Sequence, residues 1–204
     1  DASFPGRSQI AGASEGGDMK VLVFDTETTG KANFRLPASA PSQPRIVQLA
    51  MALYDTPNPR PLFCLNCIVR PEGFTIPAEA TAIHAISTEL AHACGVSVKW
   101  ALDTFRAMAS SALLVAHNVD FDCFMIGVEC CYEQENLPMN SMFCTMKSMT
   151  NHCNLPGPYG PKWPKLSEAY KHCTGKELEG AHDALNDLRA TKVIYDWLQE
   201  KEGK

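Results

Sequence analysis

Lys20 to Gly30 reads KVLVFDTETTG. A short β-branched apolar run that closes on TETTG reads as a buried strand, Lys20–Asp25, ending in a turn. Asp25 and Glu27 lie two apart where that strand ends, and a period of two puts both side chains on one face of a sheet. Two carboxylates so placed stay charged cheaply only if a cation joins them. Hard oxygen ligands with few companions suit Mg²⁺ or Mn²⁺. Two acids at this spacing also arise in solvated turns. The position after VLVF argues against that, because open α/β sheets place ligands at the ends of buried strands.

Outward from this stretch, Lys31–Pro44 carries three prolines and reads as a loop. Arg45–Tyr54 (RIVQLAMALY) and Pro61–Val69 (PLFCLNCIV) read as further strands separated by the turn chemistry of DTPNPR. The three strands suggest an antiparallel meander. Helical spacing is expected over Pro77–Ala85, Thr88–Ala93, Val98–Ser110, Asn118–Cys131, Cys144–Asn151 and Lys165–Cys173. A last helix runs from about Asp183 to Glu200 with Leu185, Leu188, Val193 and Leu198 among its apolar positions. ALLVA (Ala112–Ala116) reads as a strand, and LPGPYGPKWP (Leu155–Pro164) as a loop. Strands, helices, a strand and more helices make an α/β layer with a mixed sheet. There is no internal repeat and no sign of a second domain, so residues 19–204 are expected to form one domain.

The chain has 204 residues, 45% hydrophobic and 20% charged, which suits a globular protein with a full-sized core. No apolar run is long enough to span a bilayer, so no membrane partner is expected. Residues 1–18 (DASFPGRSQIAGASEGGD) lack periodicity and the apolar stretch of a secretory signal. They read as a cloning remnant or a disordered arm, with Met19 as the native start. Nine cysteines, an odd count in no regular framework, point to a reducing, cytoplasmic setting. The formal net charge of −5 would be −1 without the four acids singled out here. That fits a metal-filled cleft acting on a chain end better than a coat on long duplex.

Two further segments carry candidate chemistry. In HNVDFD (His117–Asp122), Asn118 is a good N-cap, and Asp122 falls near the first helical turn, close to the end of ALLVA. Asp122 is either a site acid or a complement to the helix dipole; Asp120 lies nearer the helix start and is suited to capping. In GAHDALNDLRA, His182 and Asp187 would sit about 140° apart if both were helical. They converge if His182 precedes the helix, Asp183 caps it and Gly180 allows a sharp entry. The plainer alternative is a surface histidine beside a dipole-complementing acid. His-x₄-Asp spacing does not decide, because His117 and Asp122 share it.

FDTETTG, HNVDFD and AHDALNDLRAT, in this order, resemble the three exonuclease motifs of the DnaQ-like superfamily, in the branch with histidine in the third motif. The resemblance spans Met19 to about Trp197. It implies a ribonuclease H-like fold, with a central mixed five-stranded sheet flanked by helices, and 3′-to-5′ release of nucleoside 5′-monophosphates. It assigns Asp25 and Glu27 to the first motif, Asp122 to the second, and His182 and Asp187 to the third. The stretch AIHAIS is similar to the segment that packs on the terminal nucleotide, which implies substrate contacts from Ile83 and His84, with Thr28 and Phe121 as lesser candidates. The expected cofactors are two Mg²⁺ or Mn²⁺ about 4 Å apart. Asp25 would bridge them, with Glu27 and Asp187 at the first and Asp122 at the second. His182 is the expected base, since imidazole exchanges protons near neutral pH. DTET in the first motif favours the DNA proofreading and repair side, acting on single-stranded DNA or 3′ ends. RNA stays open as a substrate, and any polymerase partner is unidentified.

Other readings compete. Cys64-x₂-Cys67 with His152, Cys153, His172 and Cys173 has the ingredients of a zinc-stabilised binding module, but three-residue spacing in a strand turns the two cysteines to opposite faces. A silent nucleic-acid binder on the same fold would be expected to have lost some of the five motif residues. Tyr159 and Trp163 either stack on bases or, as the more usual role beside proline, anchor their loop.

Overall fold

The computed structural model describes residues 20–55, 58–136 and 140–203. The expectations for residues 1–18 and Met19 lie outside the described residues, as do Thr56 and Pro57 of the first turn. Strands β1 (Lys20–Thr28), β2 (Ile46–Asp55) and β3 (Phe63–Ile68) form the expected antiparallel meander. Strand β4 (Leu113–Ala116) lies parallel to β1, and β5 (Met142–Cys144) parallel to β4, giving a five-stranded mixed sheet in the order β3-β2-β1-β4-β5. Every residue of β2 from Ile46 to Tyr54 is buried, as a strand covered on both faces requires; this is why RIVQLAMALY is almost continuously apolar.

Among the described residues, seven helices surround the sheet: α1 (Ala78–His84), α2 (Thr88–Cys94), α3 (Val98–Ala109), α4 (Val119–Tyr132), α5 (Thr145–Cys153), α6 (Leu166–Thr174) and α7 (Ala184–Lys201). The pleat of β1 sorts its residues between two layers. Leu22 and Phe24 join the core built with α3 and α4, where the Phe24 and Phe105 rings meet edge to face at 5.1 Å. Val21 and Val23 face Ala184, Leu188 and Tyr195 of α7. By the same alternation Asp25 and Glu27 continue the α7 face and Thr26 the α4 face. Helix α7 is held mainly by this packing. Burying Leu188, Ile194 and Leu198 contributes about 1.5–3 kcal/mol each, against about 1 kcal/mol for its Asp183 cap, which accepts the Asn186 N–H at 3.0 Å.

A buried ion pair ties β2 to α4. Arg45 Nη2 meets Glu129 Oε2 at 2.7 Å, and Glu129 Oε1 also accepts the Ile46 N–H at 2.8 Å. The guanidinium lies over the rings of Tyr132 and Phe74, at 3.8 and 4.7 Å from their centroids. No helix among the described residues is long and apolar enough to cross a membrane.

Several expectations need correction. Strand β5 is only three residues long and leads straight into α5, so the helix starts at Thr145 and not at Cys144; parallel pairing with β4, a long-range contact, makes MFC extended. The Pro/Gly loop contains a short hairpin, β6 (Pro156–Gly157) with β7 (Gly160–Pro161). Tyr159 at its turn is 102% exposed and does not anchor the loop, and Trp163 beyond it is 61% exposed. Val193 is exposed, and Ile194 and Tyr195 fill the core where it was expected. Asn118 begins α4 with no side-chain cap bond.

Candidate active site

Strand β1 pairs with β4 only from Val21 to Val23. Beyond that point β4 ends, the chain turns into α4, and the Thr26 N–H is free to bond elsewhere. Asp122, in the first turn of α4, takes it: its Oδ1 accepts the Thr26 N–H at 3.0 Å and the Thr26 hydroxyl at 2.8 Å. Thr26 was not singled out from the sequence, although its place between the two acids on the opposite pleat was the available signal. Asp120, one residue from Phe121, points outward to Lys147 and stays apart from the cluster.

On the other face, the chain reaches α7 through Gly180 (φ 66°) and His182 (φ 69°). Left-handed backbone at a histidine is strained, and such strain concentrates at functional sites. Here it turns the His182 N–H back onto Asp187 Oδ2 at 3.1 Å. At Gly180 the left-handed backbone favours glycine, and a Cβ there would also push aside the Asn186 side chain, whose Nδ2 would lie 2.7 Å away. Gln48, buried on β2 opposite Glu27, fixes this corner. Its Oε1 accepts the Ala184 N–H at 3.3 Å, and its Nε2 donates to Asn66 Oδ1 at 2.9 Å and Asp183 Oδ2 at 3.4 Å. Sequence reasoning passed over Gln48, a lone polar residue in an apolar strand.

The sheet end thus gathers Asp25 and Glu27 from β1, Asp122 from α4, and His182 and Asp187 from the start of α7. Ligand atoms of Glu27, His182 and Asp187 lie within 4.8 Å of one another. Burial pushes the Asp25 carboxyl well above the usual carboxylate range, and Asp122, Asp187 and Glu27 push it further. Burial, then Asp187 and Asp122, raise Glu27 to about 7. Burial raises Asp122 to about 7 against the lowering effect of the Thr26 bonds. Asp187 is raised chiefly by burial, opposed by the His182 N–H. Its Oδ1 is buried and has no hydrogen-bond partner. A cluster of hard oxygens that repel one another, with one orphaned buried lone pair, is a donor set that fits divalent cations.

The four residues expected to touch substrate differ in exposure. Thr28, just past the acids, is half-buried and donates from Oγ1 to Gly30 O at 2.7 Å. Ile83 at the end of α1 is 59% exposed. His84 is buried, not a helix-surface histidine. Its Nδ1 accepts the Ile86 N–H at 3.1 Å, which leaves the proton on Nε2. Phe121 is half-buried against the α4 core. The other histidine of equal spacing is separated from the site chemistry: His117 is buried between Thr145 Oγ1 and Pro164 O, each at 3.0 Å. Burial lowers it to about 4.

Among the described residues, the Glu27–His182–Asp187 group is the one cluster of three metal-binding types close enough to share an ion. The zinc alternative finds no such grouping. Cys64 is exposed and Cys67 buried on opposite faces of β3, and His152 and His172 set their rings against Trp197. All nine cysteines are free thiols.

Comparison with known proteins shows the family and the fold neighbours of this chain. The model of an exonuclease family, RNase T, matches residues 22–195. An uncharacterized exonuclease, CP81, of Escherichia phage 186 is 33% identical over 193 residues, covering 87% of each chain. Escherichia coli exonuclease I, solved in complex with a dA16 oligonucleotide, superposes with a TM-score of 0.71 at 20% identity, over 90% of this chain and 41% of its own. Exonuclease I of Methylocaldum szegediense gives 0.67 at 22% identity, over 91% of this chain and 41% of its own. The chain therefore spans about two-fifths of the length of these solved structures.

Proposed function

We infer that this chain, which belongs to the RNase T exonuclease family within the DnaQ-like superfamily, removes nucleoside 5′-monophosphates one at a time from the 3′ end of single-stranded DNA. The observation that carries this is the convergence of four carboxylates and one strained histidine from three distant elements at the ends of β1 and β4. The dA16 oligonucleotide held by the Escherichia coli fold neighbour supports DNA as the substrate class.

Asp25, Glu27, Asp122 and Asp187 would hold two Mg²⁺ or Mn²⁺. Bound there, divalent cations lower the pKa of a water and stabilise the leaving oxygen. The chain supplies the rest. His182, exposed at the cleft while its own N–H is fixed to Asp187, takes a proton from the water attacking the terminal phosphodiester. The phosphorus–oxygen bond to the upstream 3′ oxygen breaks, and the shortened strand keeps a 3′ hydroxyl. Ile83 offers an exposed apolar surface to the last base, and His84, buried behind it with an unpartnered Nε2–H, backs that surface.

Digestion of 5′-labelled oligonucleotides with Mg²⁺, Mn²⁺ or EDTA tests this. A ladder shortening from the 3′ end is expected with either metal and none with EDTA. His182→Ala should slow turnover by about 100-fold or more while oligonucleotide binding persists. Wild-type speed in that variant, or a ladder in EDTA, refutes the assignment.

A further inference from the structure

We propose that the Leu155–Pro164 hairpin is a single-strand arm, in which Tyr159 and Trp163 stack on bases of the DNA upstream of the 3′ end held at the acid cluster. The proposal rests on the exonuclease reading and deepens it. Three observations point to it.

The first is placement. His117 directly follows β4, five residues before Asp122. Its Nε2 can only donate to the Pro164 carbonyl, which lies at 3.0 Å, so Nδ1 accepts from the Thr145 hydroxyl, also at 3.0 Å. Because β4 runs parallel to β1, this buried bond fixes the foot of the hairpin to the sheet end where Asp25 and Glu27 stand. The second is build. Strands β6 and β7 pair, Leu155 O accepts the Lys162 N–H at 2.9 Å, and Gly157 packs so closely that a Cβ would come within 2.6 Å of Gly160 O. Such a hairpin holds its tip in place without help from its aromatic rings.

The third observation is exposure. Tyr159 at the turn is 102% exposed and Trp163 is 61% exposed, so one large ring and most of another stand in water. Lys162 and Lys165 lie alongside them in sequence and bring cations to the same arm, Lys162 bonded to Glu168 at 2.8 Å. Exposed aromatics on a rigid support with adjacent cations are how single strands are gripped without regard to sequence. An arm set to one side of the acids would hold the strand while its last nucleotide is removed.

The test is the affinity for a fluorescent sixteen-nucleotide oligothymidylate, read by anisotropy with Ca²⁺ in place of Mg²⁺. Stacking on one base predicts about 5- to 150-fold weaker binding in Tyr159→Ala, a loss in the same direction in Trp163→Ala, and affinity near wild type in Tyr159→Phe. The loss should fade for a dinucleotide. Unchanged affinity in a Tyr159→Ala, Trp163→Ala double variant, or a wild-type chain that does not bind the oligonucleotide, overturns the proposal. Equal loss in the Phe and Ala variants also overturns it, since it would replace stacking by a hydroxyl bond. Wild-type hydrolysis of the same oligonucleotide with Mn²⁺ is measured separately. Its absence refutes the exonuclease reading, while the affinities still judge the arm.

Discussion

Replacing Asp122 with Asn should make the metal-free chain more stable while abolishing its activity. Asp122 titrates near 7 instead of 3.8, chiefly because it is buried and because Asp187 repels it. Ionising it in the folded state therefore costs about 4 kcal/mol at 1.36 kcal/mol per pH unit. An Asn carbonyl keeps both bonds from Thr26, and its amide turns a repelling oxygen into a donor beside the other carboxylates. The remaining acids still repel each other, so about half of that cost, roughly 2 kcal/mol, should be recovered. For a chain of this size the gain is about 4–8 °C in melting temperature. The sign depends on pH. A carboxyl raised in the folded state carries no penalty below its unfolded value near 3.8. The penalty grows as pH climbs through about 7 and is constant above it. Thermal unfolding in EDTA should thus favour Asp122→Asn clearly at pH 8 and by only about a quarter as much at pH 4.5. Added Mg²⁺ should stabilise the wild type more than the variant. If the variant melts below wild type in EDTA at pH 8, or its advantage is the same at both pH values, the repelling cluster is not what the geometry describes.

Arg45→Ala leaves Glu129 buried without its partner and should cost about 3–5 kcal/mol, seen as a lower urea midpoint; Arg45→Ala with Glu129→Leu should recover much of it. Gln48→Leu removes the bonds to Ala184, Asn66 and Asp183. It should destabilise by about 1–3 kcal/mol and lower kcat more than it raises KM, because the corner it holds carries His182; an unchanged kcat would show that the corner positions itself. Thiol labelling of the native chain should modify Cys64, Cys94 and Cys131, which are exposed, well before Cys67, Cys123, Cys130 and Cys144, which are buried. Rapid reaction of Cys123, whose thiol burial raises far above its usual range, would contradict the packing of α4.

The elements with strong periodicity were readable from the chain: the meander through KVLVFD and RIVQLAMALY, the strand ALLVA, and the long last helix. What escaped was set by contacts between distant segments. MFC is extended because β4 offers it an edge, and nothing within three residues reveals that. The hairpin at Gly157 and Gly160 lies among prolines that read as a plain loop. In the site, each acid could be nominated by its place at an element boundary, but their meeting depends on the crossover that brings α7 under β1. Thr26, Gln48 and His117 act through hydrogen bonds to other segments, so their residue types alone gave no sign of it.

The acids that meet at the sheet end enter the chain far apart, from Asp25 to Asp187. At roughly 5–20 residues per second of synthesis, a ribosome that has already released the first strand takes about 8–30 s more to deliver the last acid. A chain cut or terminated between Asp25 and Asp187 lacks a complete set. On the proposed reading, the metal-holding set is therefore complete only once Asp187 has been added.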